Sequence, residues 1–370
     1  MSTLRTISTA AWLLLALPAP FFHTTPAQTA VVEQDVISRL DTALARHYPP
    51  DQPGAAIIVV KDGKTIFRKA YGLADMAARV PMAPGMALRV GSVTKQFTAG
   101  AILLLADQGK LTLSDDIRTY LPDFPTGGKT ITLEHLLTHT SGIVSYTGMP
   151  GFFAHDGEDI SVAAMIERFM DQPKLFEAGQ RYSYGNSGYF LLGAIIEKVS
   201  GRPYADFMAE NIFIPLGMQD TAIEGRERSA VRHIPGYRRI DGEFVPSRVI
   251  SMSQAYAAGA LVTTVDDLAR WDAAISSGKL LRASTWEKAF TPYTLGDGSV
   301  TKYGYGWDIG LFFGQKIISH GGNVSGFNAG VLRIPAQGVY IAVLNNAEAG
   351  NDAEMVAAQA AAIITTPSKP

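Results

Sequence analysis

The first hydrophobic patterns in the chain are a helix and a hairpin. Four apolar residues at helical spacing predict a helix over residues 31–47, which ends before two prolines. The apolar run at residues 55–60 and the segment 64–68 flank Asp62-Gly63. Because Asp-Gly tolerates the positive φ angles of a tight turn, this arrangement predicts a β-hairpin.

From residue 92 onwards the pattern becomes helical. Residues 94–107 are apolar nearly all round and stop before Gly109, so they predict a helix buried at the centre of the molecule. Further helical patterns cover residues 133–138, 162–170, 187–199 and 266–275. Strand patterns return at residues 303–311, 316–319, 330–334 and 339–344, and residues 352–364 predict a closing alanine-rich helix.

Strands at both ends of the sequence, with helices between them, predict an α+β fold. We expect one antiparallel sheet built from both chain ends and flanked by terminal helices, with a mostly helical subdomain inserted. The sheet region would comprise about residues 31–91 and 296–370, and the helical region about residues 92–295. Residues 31–370 would form one domain.

Composition narrows the possible functions. The 370 residues are 47% hydrophobic, and 32 Lys and Arg against 34 Asp and Glu give a formal net charge of −2. Without a basic surplus to bind a phosphate backbone, we expect no nucleic-acid partner. The absence of cysteine excludes disulfides and thiolate chemistry, so a nucleophile must be oxygen or nitrogen.

The first thirty residues differ from the rest. Arg5 precedes an apolar stretch over residues 10–22, which is shorter than the ~20 residues that span a bilayer as a helix. Small residues follow, a pattern typical of a bacterial signal peptide over residues 1–30. We therefore expect a periplasmic or secreted protein with no stable membrane span after cleavage, and the alternative is a membrane anchor.

The motif Ser-x-x-Lys occurs at residues 92–95, 276–279 and 299–302. A serine hydroxyl becomes a good nucleophile only when a neighbouring base takes its proton. On a helix Lys95 would lie one turn from Ser92, and burial would favour its neutral, basic form. Only the first copy begins a long buried helix, so it is the candidate. The alternative is that Ser92 is a plain helix N-cap.

Tyr184-Gly185-Asn186 lies in a polar turn before a predicted helix, and such turns can project side chains into a cleft. A phenol near ammonium groups can lose its proton more readily and act as a base. The carboxamide of Asn186 can hold a substrate carbonyl. The alternative is that Asn186 caps the next helix while Tyr184 only packs.

Residues 320–323, His-Gly-Gly-Asn, follow a predicted strand. Two glycines in a strand often mark close approach of a ligand to the backbone, although a loose edge strand is the alternative. His135 and His139 have the i, i+4 spacing of a zinc site, but Leu136 stands where a zinc hydrolase needs glutamate. We therefore expect both histidines to be structural, with no metal and no organic cofactor.

In this order the three motifs resemble those of the penicillin-recognising serine hydrolases. The nearest branch is similar to class C β-lactamases, the related DD-peptidases and D-aminopeptidases, and the β-lactamase-like esterases. Supporting segments are residues 131–142, 258–264 and 303–307, and the resemblance covers about residues 31–364. Ordered co-occurrence makes it more specific than any single motif.

The resemblance implies a role for each motif residue. Ser92 would be the acylated nucleophile, Lys95 its proton acceptor, and Tyr184 the base that passes the proton to the leaving group and later activates water. Asn186 would bind the carbonyl side of the substrate amide or ester. The backbone N–H groups of Ser92 and Asn323 would form the oxyanion hole.

One departure from the family pattern affects the expected substrate. Many β-lactamases carry Lys-Thr-Gly on the late strand, where this chain has His320, Gly321 and Gly322. We predict that His320 and Gly322 contact substrate. A histidine is mostly neutral near pH 7, so it orients a substrate carboxylate less well than lysine, and the threonine hydroxyl is missing.

The predicted function is an exported serine hydrolase that forms an acyl-enzyme with a small ester, D-amino-acid peptide or lactam. The departure at residues 320–322 favours esterase or peptidase activity over efficient β-lactamase activity. Two alternatives stay open: an efficient class C-type β-lactamase, and a non-catalytic protein of the same fold that binds peptidoglycan or peptide.

Overall fold

The computed structural model describes residues 26–225, 234–348 and 352–366. Most of the predicted signal peptide, residues 1–25, lies outside the described residues, and the first helix begins at Pro26. None of the helices within the described ranges combines the length and apolar character needed to cross a bilayer.

The helices are α1 Pro26–Ala45, α2 Thr94–Asp107, α3 Leu133–Leu137, α4 Val162–Met170, α5 Asn186–Ser200, α6 Tyr204–Met208, α7 Ile214–Leu216, α8 Tyr256–Gly259, α9 Val265–Ser277, α10 Ala283–Ala289 and α11 Ala353–Thr365. The strands are β1 Ala55–Lys61, β2 Lys64–Tyr71, β3 Leu73–Asp75, β4 Val80–Pro81, β5 Leu88–Arg89, β6 Ala222–Ile223, β7 Tyr237–Ile240, β8 Glu243–Pro246, β9 Leu261–Thr263, β10 Asp308–Phe312, β11 Gln315–Val324, β12 Phe327–Ile334 and β13 Val339–Asn345.

A six-stranded antiparallel sheet joins the two ends of the chain. Its strand order is β10-β11-β12-β13-β1-β2, so the first hairpin pairs with the last strand of the sequence. The terminal helices α1 and α11 pack on one face, and α2, α5 and α9 belong to the larger core on the other. The predicted α+β architecture is confirmed.

The burial of β1 explains its uninterrupted apolar sequence. Ile57 and Val59 face the core beneath the terminal helices, whereas Ile58 and Val60 face the core of the helical region. Because both faces of this central strand are covered, no position along it favours a polar side chain.

One sequence prediction about secondary structure was wrong in detail. Residues 303–311 do not form one strand, because Gly306 adopts φ +81° and lies so close to α2 that a β-carbon there would be 2.7 Å from the Lys95 carbonyl oxygen. Only the part from Asp308 pairs with β11. The mostly helical region 92–295 also contains the hairpin β7-β8 and the strands β6 and β9, which pair with the earlier β5 in a small sheet.

Candidate active site

The nucleophile turn is a 3₁₀ turn, Gly91–Val93, which leads directly into α2. Gly91 has φ +48°, and a β-carbon on it would lie 2.7 Å from the Asn323 carbonyl oxygen. On the facing strand, a β-carbon on Gly322 would lie 2.0 Å from the Val90 carbonyl oxygen. The nucleophile turn and β11 therefore lie so close together that neither residue 91 nor residue 322 has room for a side chain.

Lys95 is fully buried one turn after Ser92. Its Nζ lies 3.0 Å from Ser92 Oγ, 2.8 Å from Asn186 Oδ1 and 2.9 Å from the Ala258 carbonyl oxygen. Burial lowers the pKa of Lys95 from 10.5 to about 7. A substantial share of the amine is therefore neutral near pH 7.

The three contacts of Lys95 determine where its lone pair points. The oxygens of Asn186 and Ala258 only accept hydrogen bonds, and a neutral amine has two N–H groups to donate. Once both are used, the remaining lone pair faces Ser92 Oγ. The geometry is that of a base ready to receive the serine proton.

Tyr184 lies immediately before α5, and its ring centroid is 4.9 Å from Lys95 Nζ. Burial of the hydroxyl raises the pKa of Tyr184, while a hydrogen bond with Ser92 acts in the opposite direction. This corrects the expectation of a readily ionised phenol, since the low local dielectric disfavours the phenolate. The structure brings Ser92, Lys95 and Tyr184 together, with Tyr184 protonated at neutral pH.

Asn186 is the first residue of α5 and is held from three sides. Its Oδ1 accepts from Lys95, its Nδ2 donates to Thr147 Oγ1 at 3.1 Å, and its backbone N–H donates to Ser145 Oγ at 3.0 Å. An amide group has two Nδ2 hydrogens, so one stays available for a substrate carbonyl.

The His320 side chain is only 2% exposed, and both of its nitrogens are engaged. Nδ1 lies 2.6 Å from the Gly321 carbonyl oxygen and therefore donates, so Nε2 accepts from the Tyr303 hydroxyl at 2.8 Å. Burial, together with the nearby Lys95, lowers the pKa of His320 to about 3. The side chain is therefore buried and hydrogen-bonded to Tyr303, and its contact with substrate stays a prediction.

The cleft beside Ser92 has a volume of about 270 Å³. Ser92, Asn186 and Asn323 line it together with apolar and charged side chains. The apolar ones include Tyr146, Phe152, Phe153, Ile250, Ala255 and Val324, and the charged ones are Asp156, Arg238, Arg248 and Glu348. Asn323 is exposed there, while its Oδ1 accepts from Asn328 Nδ2 at 2.8 Å. The side chain of Asn323 is thus turned to its own hairpin, and its backbone borders the cleft.

Two carboxylates lie near Tyr184, and no sequence pattern pointed to either. Asp308 begins β10, and Glu354 lies in the first turn of α11. A β-carbon on Gly321 would be 2.1 Å from Glu354 Oε2, so this carboxylate covers the strand where β-lactamases carry threonine. Burial raises the pKa of each to about 6, and both carboxylates contribute to the raised pKa of Tyr184.

The two histidines of the rejected zinc motif have separate structural roles. His135 Nδ1 accepts from the Thr132 backbone N–H at 3.1 Å in a helix cap. His139 is buried, its Nδ1 accepts from the Gly185 N–H at 3.3 Å, and its ring lies 4.3 Å from that of Tyr184. Within the described residues, no three His, Asp or Glu side chains are grouped to hold a metal ion.

The site also contains residues that sequence reasoning did not assign. Ala258 and Tyr303 belong to segments noted for the family resemblance, but no pattern gave them a role. Thr147 lies on a loop without periodicity. The other Ser-x-x-Lys serines are distant from this chemistry: Ser276 Oγ accepts from Arg333 at 2.8 Å, and Ser299 Oγ donates to Asp297 at 2.6 Å.

Comparison with known proteins identifies relatives over most of the chain. Penicillin-binding protein 4* of Bacillus subtilis (strain 168) is 30% identical over 327 residues, which cover 84% of this chain and 72% of that protein. A D-aminopeptidase of Gluconobacter oxydans (strain 621H) is 28% identical over 309 residues, 82% of this chain but only 57% of its own length.

A solved structure extends the comparison to the fold. The D-stereospecific amidohydrolase of a Streptomyces species superimposes with a TM-score of 0.72 at 27% identity, covering 88% of this chain and 96% of that one. The family model described as "Beta-lactamase" matches residues 42–366. With Ser92 and Lys95 in hydrogen-bond contact within that span, the chain belongs to the beta-lactamase family of penicillin-recognising serine hydrolases.

Proposed function

We propose that the protein is an exported serine hydrolase that forms an acyl-enzyme on Ser92, and that it prefers esters and D-amino-acid amides or peptides to β-lactams. The observation that carries this proposal is the 3.0 Å contact between Lys95 Nζ and Ser92 Oγ, made by an amine whose other contacts are two acceptors. Export rests on the predicted signal peptide.

Acylation begins when Ser92 Oγ attacks the substrate carbonyl and its proton moves to the Lys95 lone pair. The backbone N–H groups of Ser92 and Asn323 stabilise the oxyanion. Tyr184 keeps its proton in the free enzyme, so it can donate that proton to the leaving group and recover one from the Lys95 ammonium. Water then attacks the acyl-enzyme and gives one proton to the neutral Lys95 amine. That proton passes to Ser92 Oγ as the bond between Ser92 and the acyl group breaks and the acid product leaves.

The charges around the site support the preferred substrates. A β-lactam carries a carboxylate beside the ring, which a cation on the late strand would hold. Here the buried His320 is neutral, Gly321 has no hydroxyl, and the carboxylates of Asp308 and Glu354 lie nearby. Neutral esters and amides with a free amine avoid this repulsion, and the relatives include a D-aminopeptidase and a D-stereospecific amidohydrolase.

A fluorophosphonate probe tests the acyl-enzyme chemistry directly. We expect peptide mass spectrometry to find a single adduct on Ser92 and none on Ser299, whose motif has the same four residues. In parallel, a p-nitrophenyl butyrate and D-alanine p-nitroanilide panel should give kcat/KM at least ~10-fold above nitrocefin, which corresponds to ~1.4 kcal/mol. An unlabelled Ser92 would favour the non-catalytic alternative, and faster nitrocefin hydrolysis would favour a true β-lactamase.

A further inference from the structure

The Asn186 amide is the group that determines the direction of the Lys95 lone pair. If its carbonyl faces Lys95, the amine must donate to it, and the lone pair stays directed at Ser92. If the amide turned by 180° about χ2, Nδ2 would face Lys95 and donate to that lone pair. A neutral amine can satisfy either orientation, so another group has to fix the amide.

Thr147 is placed to do this. Its Oγ1 lies 3.1 Å from Asn186 Nδ2 and 3.0 Å from Ser145 Oγ, and Ser145 Oγ accepts the Asn186 backbone N–H. When the Thr147 hydroxyl donates to Ser145 Oγ, its oxygen can only accept from Asn186, so Nδ2 has to face Thr147. Thr147 is half-buried at the wall of the cleft, so its hydroxyl is close to the site of chemistry.

The backbone that carries Thr147 is anchored without its hydroxyl. The adjacent Tyr146 donates its backbone N–H to Ser187 Oγ at 2.9 Å and its hydroxyl to the Gln254 carbonyl oxygen at 2.6 Å. Ser187 Oγ in turn donates to the Val144 carbonyl oxygen at 2.6 Å. Removing the Thr147 hydroxyl should therefore leave the loop in place and affect only its two partners, Ser145 Oγ and Asn186.

We infer that Thr147 is a positioning residue for acyl transfer, which, given the proposed acyl-enzyme chemistry, acts through Asn186. By donating to Ser145 Oγ and accepting Nδ2–H, Thr147 keeps the Asn186 carbonyl on Lys95 and the Lys95 lone pair on Ser92. It also directs the second Nδ2 hydrogen toward the cleft, where a substrate carbonyl binds. Its contribution should appear both in proton acceptance and in substrate binding.

The test compares Thr147→Val, which is nearly isosteric but cannot hydrogen-bond, with Thr147→Ser, which keeps the hydroxyl. Ester kcat/KM is measured from pH 5 to 10. We expect Thr147→Val to lose about 10- to 30-fold at the alkaline plateau, in line with the hydrogen-bond free energies typical of such contacts. Its acid limb should shift to lower pH, because an Asn186 donor facing Lys95 disfavours the ammonium. Thr147→Ser should restore both properties.

Thr291→Val is the matched control, because Thr291 is exposed and its hydroxyl donates only to the Glu287 carbonyl oxygen of its own helix turn. It should retain wild-type kinetics. Equal plateaus and equal acid limbs in Thr147→Val and wild type would overturn the inference, as would a Thr147→Ser variant as impaired as Thr147→Val. Thermal unfolding of each variant shows whether a loss of activity comes from a destabilised fold or from a mispositioned Asn186 amide. An unlabelled Ser92 would instead refute the proposed function itself.

Discussion

Two stretches of this molecule have the same five residues, Gly-Ser-Val-Thr-Lys, at 91–95 and 298–302. In the first, Val93, Thr94 and Lys95 are completely buried, and the serine opens a central helix. In the second, the chain is extended at the surface, and Val300 is 62% exposed. The same five residues therefore form a buried helix start in one place and an exposed surface segment in the other, because different parts of the fold surround them.

The partners also decide the chemistry. In the first copy, Lys95 is fully buried beside two carbonyl acceptors, those of Asn186 and Ala258, and burial lowers the pKa of Lys95 to about 7. In the second, the serine hydroxyl donates to Asp297 across a turn, so its proton is directed away from any base. A lysine becomes a base near neutral pH when burial lowers its pKa, and the Ser-x-x-Lys motif alone does not bury it.

The largest difference between the copies should be catalytic. Ser92→Ala removes the nucleophile, and we expect p-nitrophenyl ester kcat to fall by at least ~10³-fold, as when other serine nucleophiles are lost. Ser299→Ala should stay within ~2-fold of wild type, because that hydroxyl only closes a turn. Steady-state kinetics of the two purified variants measure this. Comparable losses in both would mean that the turn at residue 299 contributes to the site.

The preceding glycines should differ next in stability. Gly91→Ala forces a side chain into φ +48° and places its β-carbon 2.7 Å from the backbone of Asn323, so we expect a loss of about 3–4 kcal/mol in unfolding free energy. Gly298→Ala has φ +85° but no atom within 4 Å, so only about 1 kcal/mol should be lost. Urea denaturation distinguishes them, and equal losses would show that conformational strain alone matters.

Much of the fold was predictable from local patterns. The first hairpin, the buried helix α2 and the terminal helix α11 each follow from apolar spacing and turn residues, and the family resemblance fixed their assembly. The turn at residues 303–307 was mistaken for strand because Gly304 packs against the backbone of Ala289 and Gly306 against that of Lys95. Both are tertiary contacts, and Lys95 is far from Gly306 in the sequence, so no local pattern encodes them.

The site was predictable only where motifs were present. Ser92, Lys95, Tyr184 and Asn186 were selected from sequence and lie together. The His320 side chain is buried and hydrogen-bonded to Tyr303, and a sequence motif shows neither property. Asp308 and Glu354 come from separate elements that the fold brings close to β11, and their residue types are common on protein surfaces.

Per pH unit, the smallest expected effect concerns the stability of variants at the two lysines. Below pH 7 Lys95 is protonated in both the folded and unfolded states, so the folded state bears the full cost of a buried charge. Between pH 7 and 10.5 the unfolded chain binds one more proton than the folded chain, so unfolding free energy rises by about 1.4 kcal/mol per pH unit. Lys95→Met removes this dependence together with the charge.

The stability of Lys95→Met relative to wild type should therefore be greatest near pH 6 and should fall by about 1.4 kcal/mol per unit from pH 7 to 10. Lys302→Met, at the surface, should stay within about 0.5 kcal/mol of wild type throughout. Urea denaturation across this range measures both slopes. The slope tests the enclosure of Lys95 without reference to catalysis, because the loss of its contacts to Asn186 and Ala258 shifts the whole curve by a constant. A pH-independent difference would mean that the amine ionises as freely in the folded protein as in the unfolded chain, and the first copy would then lack the base on which its chemistry depends.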